Sequence, residues 1–221
     1  MKIENTEVYG FRAALRAMRN PMDSWDKSDT MFMAGCVTAN VEGADIGPED
    51  LKLACKLIRG GSEHRKFLRQ IIVGVDFDVP RYVWQEIDTY KVATVRNSCS
   101  TMHKLGHREL TEDDFEARIV LPVILQELNR AGAAYRDKVM LVRPPFETVT
   151  GYDIVRYMKQ ILPEGFLQRA TYTCSYETLL AMHRQRKNHR LPEWSGPGGI
   201  CEWIRCLPYM KEFIEASEQI K

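Results

Sequence analysis

Apolar and polar residues follow two periods along this chain, one typical of strands and one typical of helices. Every second residue from Ile71 to Val79 is apolar, which predicts a half-buried strand that ends at Pro80. The segment Phe11–Arg19 instead places its apolar residues three or four positions apart, which predicts a short amphipathic helix ended by Asn20-Pro21. The chain is therefore expected to contain both kinds of element.

Helix start and stop signals mark further segments. Gly47-Pro48, followed by two acids, begins a helix that Gly60-Gly61 ends. Thr111 and the three acids after it predict the start of a long helix that reaches Ala131, with a kink at Pro122. Residues 81–91 are aromatic-rich and predicted to be helical, whereas residues 92–103 have the small, polar composition of a loop that lines a site.

The C-terminal part also mixes both kinds of element. Its patterns predict a helix over residues 151–161 and a strand over residues 166–174. Ser175 and Thr178 then begin a helix that extends to about Asn188, and two short helices follow the stretch 196–199, which is rich in glycine.

This uneven alternation of helices with a few strands predicts an α+β or mixed α/β fold. The 221 residues, 44% of them hydrophobic, can form one core, so a single domain over residues 1–221 is expected. Neither G-x-G-x-x-G nor a Walker A sequence is present, which disfavours a Rossmann or P-loop protein.

Charge and composition restrict the partners and the compartment. The formal net charge is +1, from 31 basic and 30 acidic residues, so no overall field favours nucleic acid or an anionic membrane surface. No apolar run approaches the roughly 18 residues of a membrane span, and the N-terminus lacks a signal core. The six dispersed cysteines, Cys36 among them, are interpreted as reduced thiols in a cytoplasmic protein.

Three local patterns suggest other chemistry, and each is incomplete. His103 and His107 have a possible metal-ligand spacing, but no third ligand is indicated, so no metal site is predicted. Residues 98–100 offer hydroxyls and a thiol without an identifiable base, and Cys99 is interpreted as structural. The basic run 184–190 could contact nucleic acid, which the nearby Glu193 and the balanced total charge disfavour.

A nucleotide phosphate requires cations and hydrogen-bond donors. Lys159, Arg186, Arg96 and Ser100 are residues of suitable type. Taken singly, each of the three cations is more typical of a solvated surface charge, and only a match to a motif separates the two interpretations.

The stretch from His64 to Pro80 resembles flavin-dependent thymidylate synthases. That family has a histidine in an H-x-T-P-F-E-H stretch, then an alternating strand, then a proline that enters the helix before its signature. His64 and Pro80 stand at that spacing, whereas the T-P-F-E-H residues are not retained. The resemblance implies that His64 contacts a flavin.

Residues 159–193 resemble the same family at three landmarks. Lys159 stands at the arginine of A-R-x-x-L-P, and Arg186 matches an arginine that opens the run toward A-Q-W-E. Ser175 and Glu177 stand at an N-x-R pair that helps to hold the flavin. A carboxylate at position 177 repels the diphosphate with which an arginine would pair.

The family signature R-H-R-x-x-S-x-N-x-x-S-x-R-Y falls on residues 89–102, which read TYKVATVRNSCSTM. Thr89, Tyr90 and Lys91 replace the R-H-R triplet, and Glu86 replaces the preceding glutamine. One inserted residue aligns Asn97 and Ser100 with the asparagine and the second serine of the signature.

The resemblance implies a single domain with a central mixed sheet and flanking helices, assembled as a homotetramer that shares its active sites. It also implies FAD-dependent transfer of a one-carbon unit from methylenetetrahydrofolate to the pyrimidine nucleotide dUMP, with NADPH regenerating the reduced flavin. The implied catalytic residues are Ser100 and Glu86, at the base. The implied nucleotide contacts are Lys159 and Arg186, to which Arg96 is added by residue type, and the residues expected beside the flavin are His64, Thr89, Tyr90, Lys91, Asn97, Ser175 and Glu177.

The altered signature leaves two alternatives open. One keeps the fold and changes the reaction, for instance to hydroxymethyl transfer onto a pyrimidine nucleotide. The other is a non-catalytic nucleotide-binding protein that has lost the flavin.

Overall fold

The computed structural model describes residues 1–32 and 44–219. Cys36 lies between these two ranges and so outside the described residues. The described cysteines are free thiols. The strands are β1 Lys2–Tyr9, β2 Met31–Phe32, β3 Ala44–Asp45, β4 Ile72–Pro80, β5 Val95–Ser98, β6 Leu141–Arg143, β7 Glu147–Val149 and β8 Leu167–Ser175.

The helices lie between and after these strands, and short 3-10 turns join several of them. They are α1 Phe11–Arg19, α2 Pro48–Arg59, α3 Arg81–Ile87, α4 Thr101–Lys104, α5 Pro122–Arg136, α6 Tyr152–Ile161, α7 Tyr176–Arg186, α8 Pro192–Ser195, α9 Ile200–Arg205 and α10 Met210–Glu218. A four-stranded sheet has the order β1-β4-β8-β5, while β2 pairs with β3 and β6 with β7 in antiparallel pairs. The predicted mixed α/β class, with a sheet and flanking helices, is confirmed.

The chain divides into two compact units. The first contains residues 1–2, 77–89 and 97–170, and the second contains residues 3–76, 90–96 and 171–221 as far as these are described. The expectation of one domain over residues 1–221 stays a prediction.

Strand β4 has the predicted period-two pattern. Every second side chain from Ile71 to Val79 is at most 2% exposed, and the residues between them are half-buried. One face of this strand therefore lies in the core, as alternation in the sequence requires.

In the first unit the core lies between α5 and α6. Leu128 and Ala131 of α5 and Ile154 and Met158 of α6 are fully or almost fully buried in one cluster. Trp84 of α3 is also buried, and its indole Nε1 donates a hydrogen bond to the backbone oxygen of Gln168 at 2.7 Å, which fixes α3 against β8.

The prediction of a long helix from Thr111 was wrong. Thr111 and Asp114 do form a reciprocal capping box, but it caps only the short 3-10 turn Glu112–Asp114. A second turn follows, and Ala117 within it has φ +52°, which interrupts any helix. Pro122 then begins α5 at its first position, where the missing N–H costs no hydrogen bond, so the proline starts a helix instead of kinking one.

Other boundaries differ by smaller amounts. Helix α3 ends at Ile87 and not at Lys91, and the predicted loop over residues 92–103 contains β5 and the first three residues of α4. Helices α1, α2, α6 and α7, strand β8 and the short helices α9 and α10 confirm their predictions. Strand β1, the β2–β3 and β6–β7 pairs and helix α8 were not predicted.

A buried ion pair joins α1 to α2 in the second unit. Arg19 Nε donates to Asp50 Oδ1 at 2.6 Å, and the hydroxyls of Ser28 and Thr30 each donate to Asp50 Oδ2 at 2.6 Å. Arg19 is 5% exposed and Asp50 is 0% exposed. Burial alone raises the pKa of the Asp50 carboxyl, but the hydrogen bonds from Ser28, Thr30 and Arg19 outweigh it and lower that pKa below its ordinary value.

We expect Asp50→Ala to lower the free energy of unfolding by about 3–5 kcal/mol, because Arg19 and two hydroxyls lose their shared acceptor in the interior. Urea unfolding at neutral pH measures this change. Glu49→Ala is the matched control, since Glu49 is exposed and its ion pair with Lys52 spans 3.7 Å, and it should change stability by less than about 1 kcal/mol. Equal effects of the two substitutions would contradict the assigned role of Asp50.

Because the folded-state pKa of Asp50 is lowered, its contribution to stability is present above the unfolded pKa and is lost as the pH falls through the folded value. The stability difference between the native protein and Asp50→Ala should therefore shrink below about pH 4. Unfolding curves of both proteins across the acidic range test this, and a difference that stays constant down to acid pH would contradict it.

Candidate functional site

A cavity of about 330 Å³ lies in the first unit, where the chain leaves β5 and enters α4, against the beginning of β8. Hydroxyl, amide and charged side chains line it together with a few apolar ones. Its lining residues are Asp78, Cys99, Ser100, Thr101, Lys104, Leu105, Arg108, Leu110, Asp113, Asp114, Phe166, Leu167, Gln168 and Arg169. We call it the β5–α4 cavity.

Two hydrogen bonds hold the chain in place at the entrance to α4. The backbone N–H of Cys99 donates to the Arg169 carbonyl at 2.9 Å, and Gln168 Nε2 donates to the Cys99 carbonyl at 2.8 Å. Both backbone polar groups of Cys99 are therefore hydrogen-bonded to residues of β8, and these bonds hold this part of the cavity wall in place.

Ser100 is the N-cap of α4. Its Oγ accepts a hydrogen bond from the backbone N–H of His103 at 3.4 Å, which leaves the hydroxyl hydrogen for another acceptor. Ser100 is exposed, so a ligand in the cavity can reach it.

The charges around the β5–α4 cavity are mostly paired. Arg108 binds Asp114 through two nitrogens, and Arg118 pairs with Asp113 at 2.8 Å. Burial raises the pKa of the Asp114 carboxyl, but the hydrogen bonds from Arg108 and Thr111 lower it further than burial raises it. Lys104, by contrast, forms no ion pair with any residue that the structure describes, so its ammonium group is available to an anion.

Arg186 occupies a second arrangement, in the second unit. Its Nε donates to the Tyr90 hydroxyl at 3.3 Å, and Nη1 lies 2.9 Å from His189 Nε2. Its guanidinium carbon is 5.2 Å from the ring centroid of Trp194, which is fully buried. Tyr90 in turn donates to Gln185 Oε1 at 2.9 Å, so the predicted contacts Tyr90 and Arg186 are brought together and held in place.

Ser175 and Glu177 serve the start of α7. Ser175 is 1% exposed, and its Oγ accepts from the backbone N–H of Thr178 at 3.3 Å. Both carboxylate oxygens of Glu177 accept from Arg65 Nε, at 3.0 and 3.1 Å, and the two side chains are 17% and 12% exposed. The helix N-terminus adds a favourable field for this carboxylate.

The other predicted site residues are dispersed. His64, Lys91, Asn97 and Lys159 are exposed, Arg96 is half-buried, and none of them lines the β5–α4 cavity. Thr89 Oγ1 donates to the backbone oxygen of Glu86 at 2.7 Å. Of the predicted residues only Ser100 lines this cavity, and the roles assigned to all twelve stay predictions.

Sequence reasoning did not single out Lys104, Gln168 or Arg65. Lys104 lies one helical turn after Ser100, and this spacing was a usable signal for a second polar group on the same side of a helix. Arg65 directly follows His64, but nothing in the sequence indicates its contact with Glu177, 112 residues away.

Metal ligation and membrane insertion both require particular arrangements of residues. His107 lies beyond the end of α4, and its ring packs edge-on against Tyr135 with 5.7 Å between the centroids. Within the described residues, no group of three or more His, Cys, Asp and Glu side chains is placed to hold a metal. No helix in that part of the chain is both long and apolar enough to cross a bilayer.

The Arg65–Glu177 contact predicts coupled effects on stability. Arg65→Ala and Glu177→Ala should each lower the free energy of unfolding by about 2 kcal/mol, because each leaves a mostly buried charge without its partner. The double variant should lose less than the sum by about 1 kcal/mol or more. Urea unfolding of the four proteins measures this cycle, with the exposed Arg184→Ala on α7 as a control, and strictly additive losses would show that the pair does not interact.

Comparison with known proteins places the fold. No protein-family model matches the chain, and no curated protein matches it in sequence. A structure of the flavin-dependent thymidylate synthase ThyX from Helicobacter pylori, complexed with FAD and dUMP, is 14% identical, with a TM-score of 0.66 and full coverage of both chains. A second ThyX structure from that organism, with FAD and dUMP, has the same identity and TM-score and covers 99% of this chain and 100% of the other. The chain is therefore similar in fold, along its whole length, to flavin-dependent thymidylate synthases.

Proposed function

We propose that this protein is a thymidylate synthase-like enzyme that binds a pyrimidine deoxynucleotide, with dUMP as the first candidate. The observation that carries the proposal is the β5–α4 cavity, which combines an available ammonium group, a hydroxyl and a side-chain amide in a pre-formed pocket. The full-length likeness in fold to proteins solved with dUMP supports it.

The groups in the cavity match the parts of a nucleotide. Lys104 supplies a cation for the phosphate, and the hydroxyls of Ser100 and Thr101 supply donors beside it. Phe166 offers an aromatic ring, held edge-on by Phe115 with 5.8 Å between centroids, against which a base can stack. The side-chain amide of Gln168 lies in the same wall, where its hydrogen bond to the Cys99 carbonyl holds it in position.

The family resemblance implies further nucleotide contacts, which stay predictions. They are Arg186, Lys159 and Arg96 at the nucleotide and Glu86 as an acceptor at the base, and none of them lines the β5–α4 cavity. The side chain of Arg186 is held in one position, because its guanidinium contacts Tyr90, His189 and Trp194. The homotetramer and the cytoplasmic location stay predictions.

The residues at two implied flavin positions do not fit FAD. The Ser175 hydroxyl caps α7, and Glu177 neutralises the charge of Arg65, so this place presents no net positive charge to a diphosphate. His64, Thr89, Tyr90, Lys91 and Asn97 are polar residues that can still contact a ligand.

A second candidate function follows from the same contact. The neutral Arg65–Glu177 pair favours a protein that kept its nucleotide pocket and lost the flavin. The two candidates differ in a simple property, since bound flavin gives a visible absorbance band that no side chain produces.

The nucleotide site is tested by calorimetric titration with dUMP. Lys104→Ala should weaken binding about tenfold or more, because the phosphate loses a cation that is otherwise available. Lys211→Ala, an exposed lysine on α10 that does not line the cavity, is the matched control and should leave the affinity unchanged. No dUMP binding by the native protein would reject the proposal, and so would equal losses in both variants.

The reaction is tested by adding FAD, NADPH, methylenetetrahydrofolate and dUMP to the purified protein and identifying the product. Thymidylate formation with a bound flavin band supports the enzyme. A hydroxymethylated product would support the altered reaction, and dUMP binding without a flavin band or turnover would support the second candidate.

A further inference from the structure

A second small cavity, in the second unit, combines arginines with aromatic rings. It has a volume of about 270 Å³ and lies beside α1 and the turns that follow it. Its lining residues are Arg12, Leu15, Arg16, Arg19, Trp25, Ser28 and Phe32. We call it the arginine cleft.

The charge of the arginine cleft has one sign. Among the described residues that line it, three arginines are charged and none is a carboxylate. Arg19 is neutralised by Asp50 behind the cleft wall, whereas Arg12 and Arg16 form no ion pair within the described ranges 1–32 and 44–219. These two arginines are four residues apart on α1, so their guanidinium groups lie on one face of the helix.

The aromatic walls are fixed in position. Trp25 is 52% exposed, and its Nε1 donates to Asn20 Oδ1 at 2.8 Å, so the indole ring is held while one side stays accessible. Phe32 lies under the Arg12 guanidinium, 4.3 Å from the ring centroid. The cleft therefore combines two aromatic rings with guanidinium groups around one small cavity.

The floor of the cleft is rigid. Arg19 donates to Asp50 and to the backbone oxygen of Ser24, and the Ser28 hydroxyl donates to the same Asp50. Because these groups are already paired, a ligand need not reorganise them, which lowers the entropic cost of binding. Arg12, Arg16 and Trp25 remain as the groups that can contact it.

We propose that the arginine cleft binds a nucleoside monophosphate, with the base stacked on Trp25 and the phosphate held by Arg12 and Arg16. Arginine recognises phosphate through paired N–H donors, and an accessible indole stacks on any base because each base has a π face. The volume lies near the lower limit of ligand pockets, which suits one nucleotide and not a larger cofactor. This site is separate from the β5–α4 cavity and does not rest on the function proposed for it.

Tryptophan fluorescence tests the proposal directly, with AMP as the probe. AMP should quench the Trp25 emission in a saturable manner, whereas adenosine, which lacks the phosphate, should bind about tenfold more weakly or worse. Trp25→Phe should abolish the fluorescence response while calorimetry still detects AMP, since phenylalanine keeps a stacking face.

Charge variants separate the cleft from general effects. The double variant Arg12→Gln/Arg16→Gln should lose about tenfold or more in AMP affinity. Arg59→Gln, at the exposed end of α2, should leave it unchanged. Circular dichroism and urea unfolding of each variant show that the fold is retained.

Several outcomes would overturn the proposal. They are absence of saturable quenching, equal affinity for AMP and adenosine, or an equal loss in Arg59→Gln. A change in sedimentation of the double variant without any AMP binding by the native protein would show that the cleft contacts a second copy of the chain instead.

One further outcome would support the proposal and refine it. Tighter binding of a 5′-phosphorylated oligonucleotide than of AMP would support the phosphate and stacking contacts and identify a nucleic-acid end as the source of the phosphate.

Discussion

In the second unit, the buried carboxylate of Asp50 joins α1 to α2. Asp50 is completely inaccessible, and an ionised group in such a place is tolerated only if hydrogen bonds and an opposite charge replace the lost water. Arg19, Ser28 and Thr30 do this together, and each comes from a different point along residues 19–30. The hydrogen bonds to Asp50 therefore hold α1, α2 and residues 28–30 together, and with them part of the wall of the arginine cleft.

The nearly balanced total charge conceals a clear division among the basic residues. Arg19, Arg65 and Arg108 are each paired with a carboxylate that neutralises their charge. Lys104 in one unit and Arg12 with Arg16 in the other have no such pairing among the described residues, and each of them lines a cavity. A formal net charge of +1 is thus compatible with two separate anion sites. The pairing of each cation carries more functional information than the count of cations.

The sequence revealed elements whose cause is local. Strand β4 was predictable because one of its faces is buried, which forces alternation, and the start of α7 was predictable because Ser175 caps it within three residues. Strand β1 was missed because only Val8 in it is fully buried, so the strand carries almost no alternation. The prediction of a long helix from Thr111 failed because a capping box marks where a turn begins and not how far a helix continues.

The candidate site depended on contacts between distant positions. Ser100 was found through a motif, but the partners of Glu177 and Arg186 lie on other elements, and a single sequence holds no record of such pairs. The full-length fold likeness to thymidylate synthases at 14% identity illustrates the same point, since two chains that differ at most positions share one backbone arrangement.

The Arg65–Glu177 contact also restricts how this chain can change over time. If Glu177 became an arginine first, two like charges would face each other in a mostly buried place, and if Arg65 changed first, a carboxylate would remain there alone. A stepwise exchange between a cationic and an anionic residue at position 177 must therefore cross a destabilised intermediate. Such a barrier tends to preserve the sign of the charge at position 177, whichever ligand the protein binds.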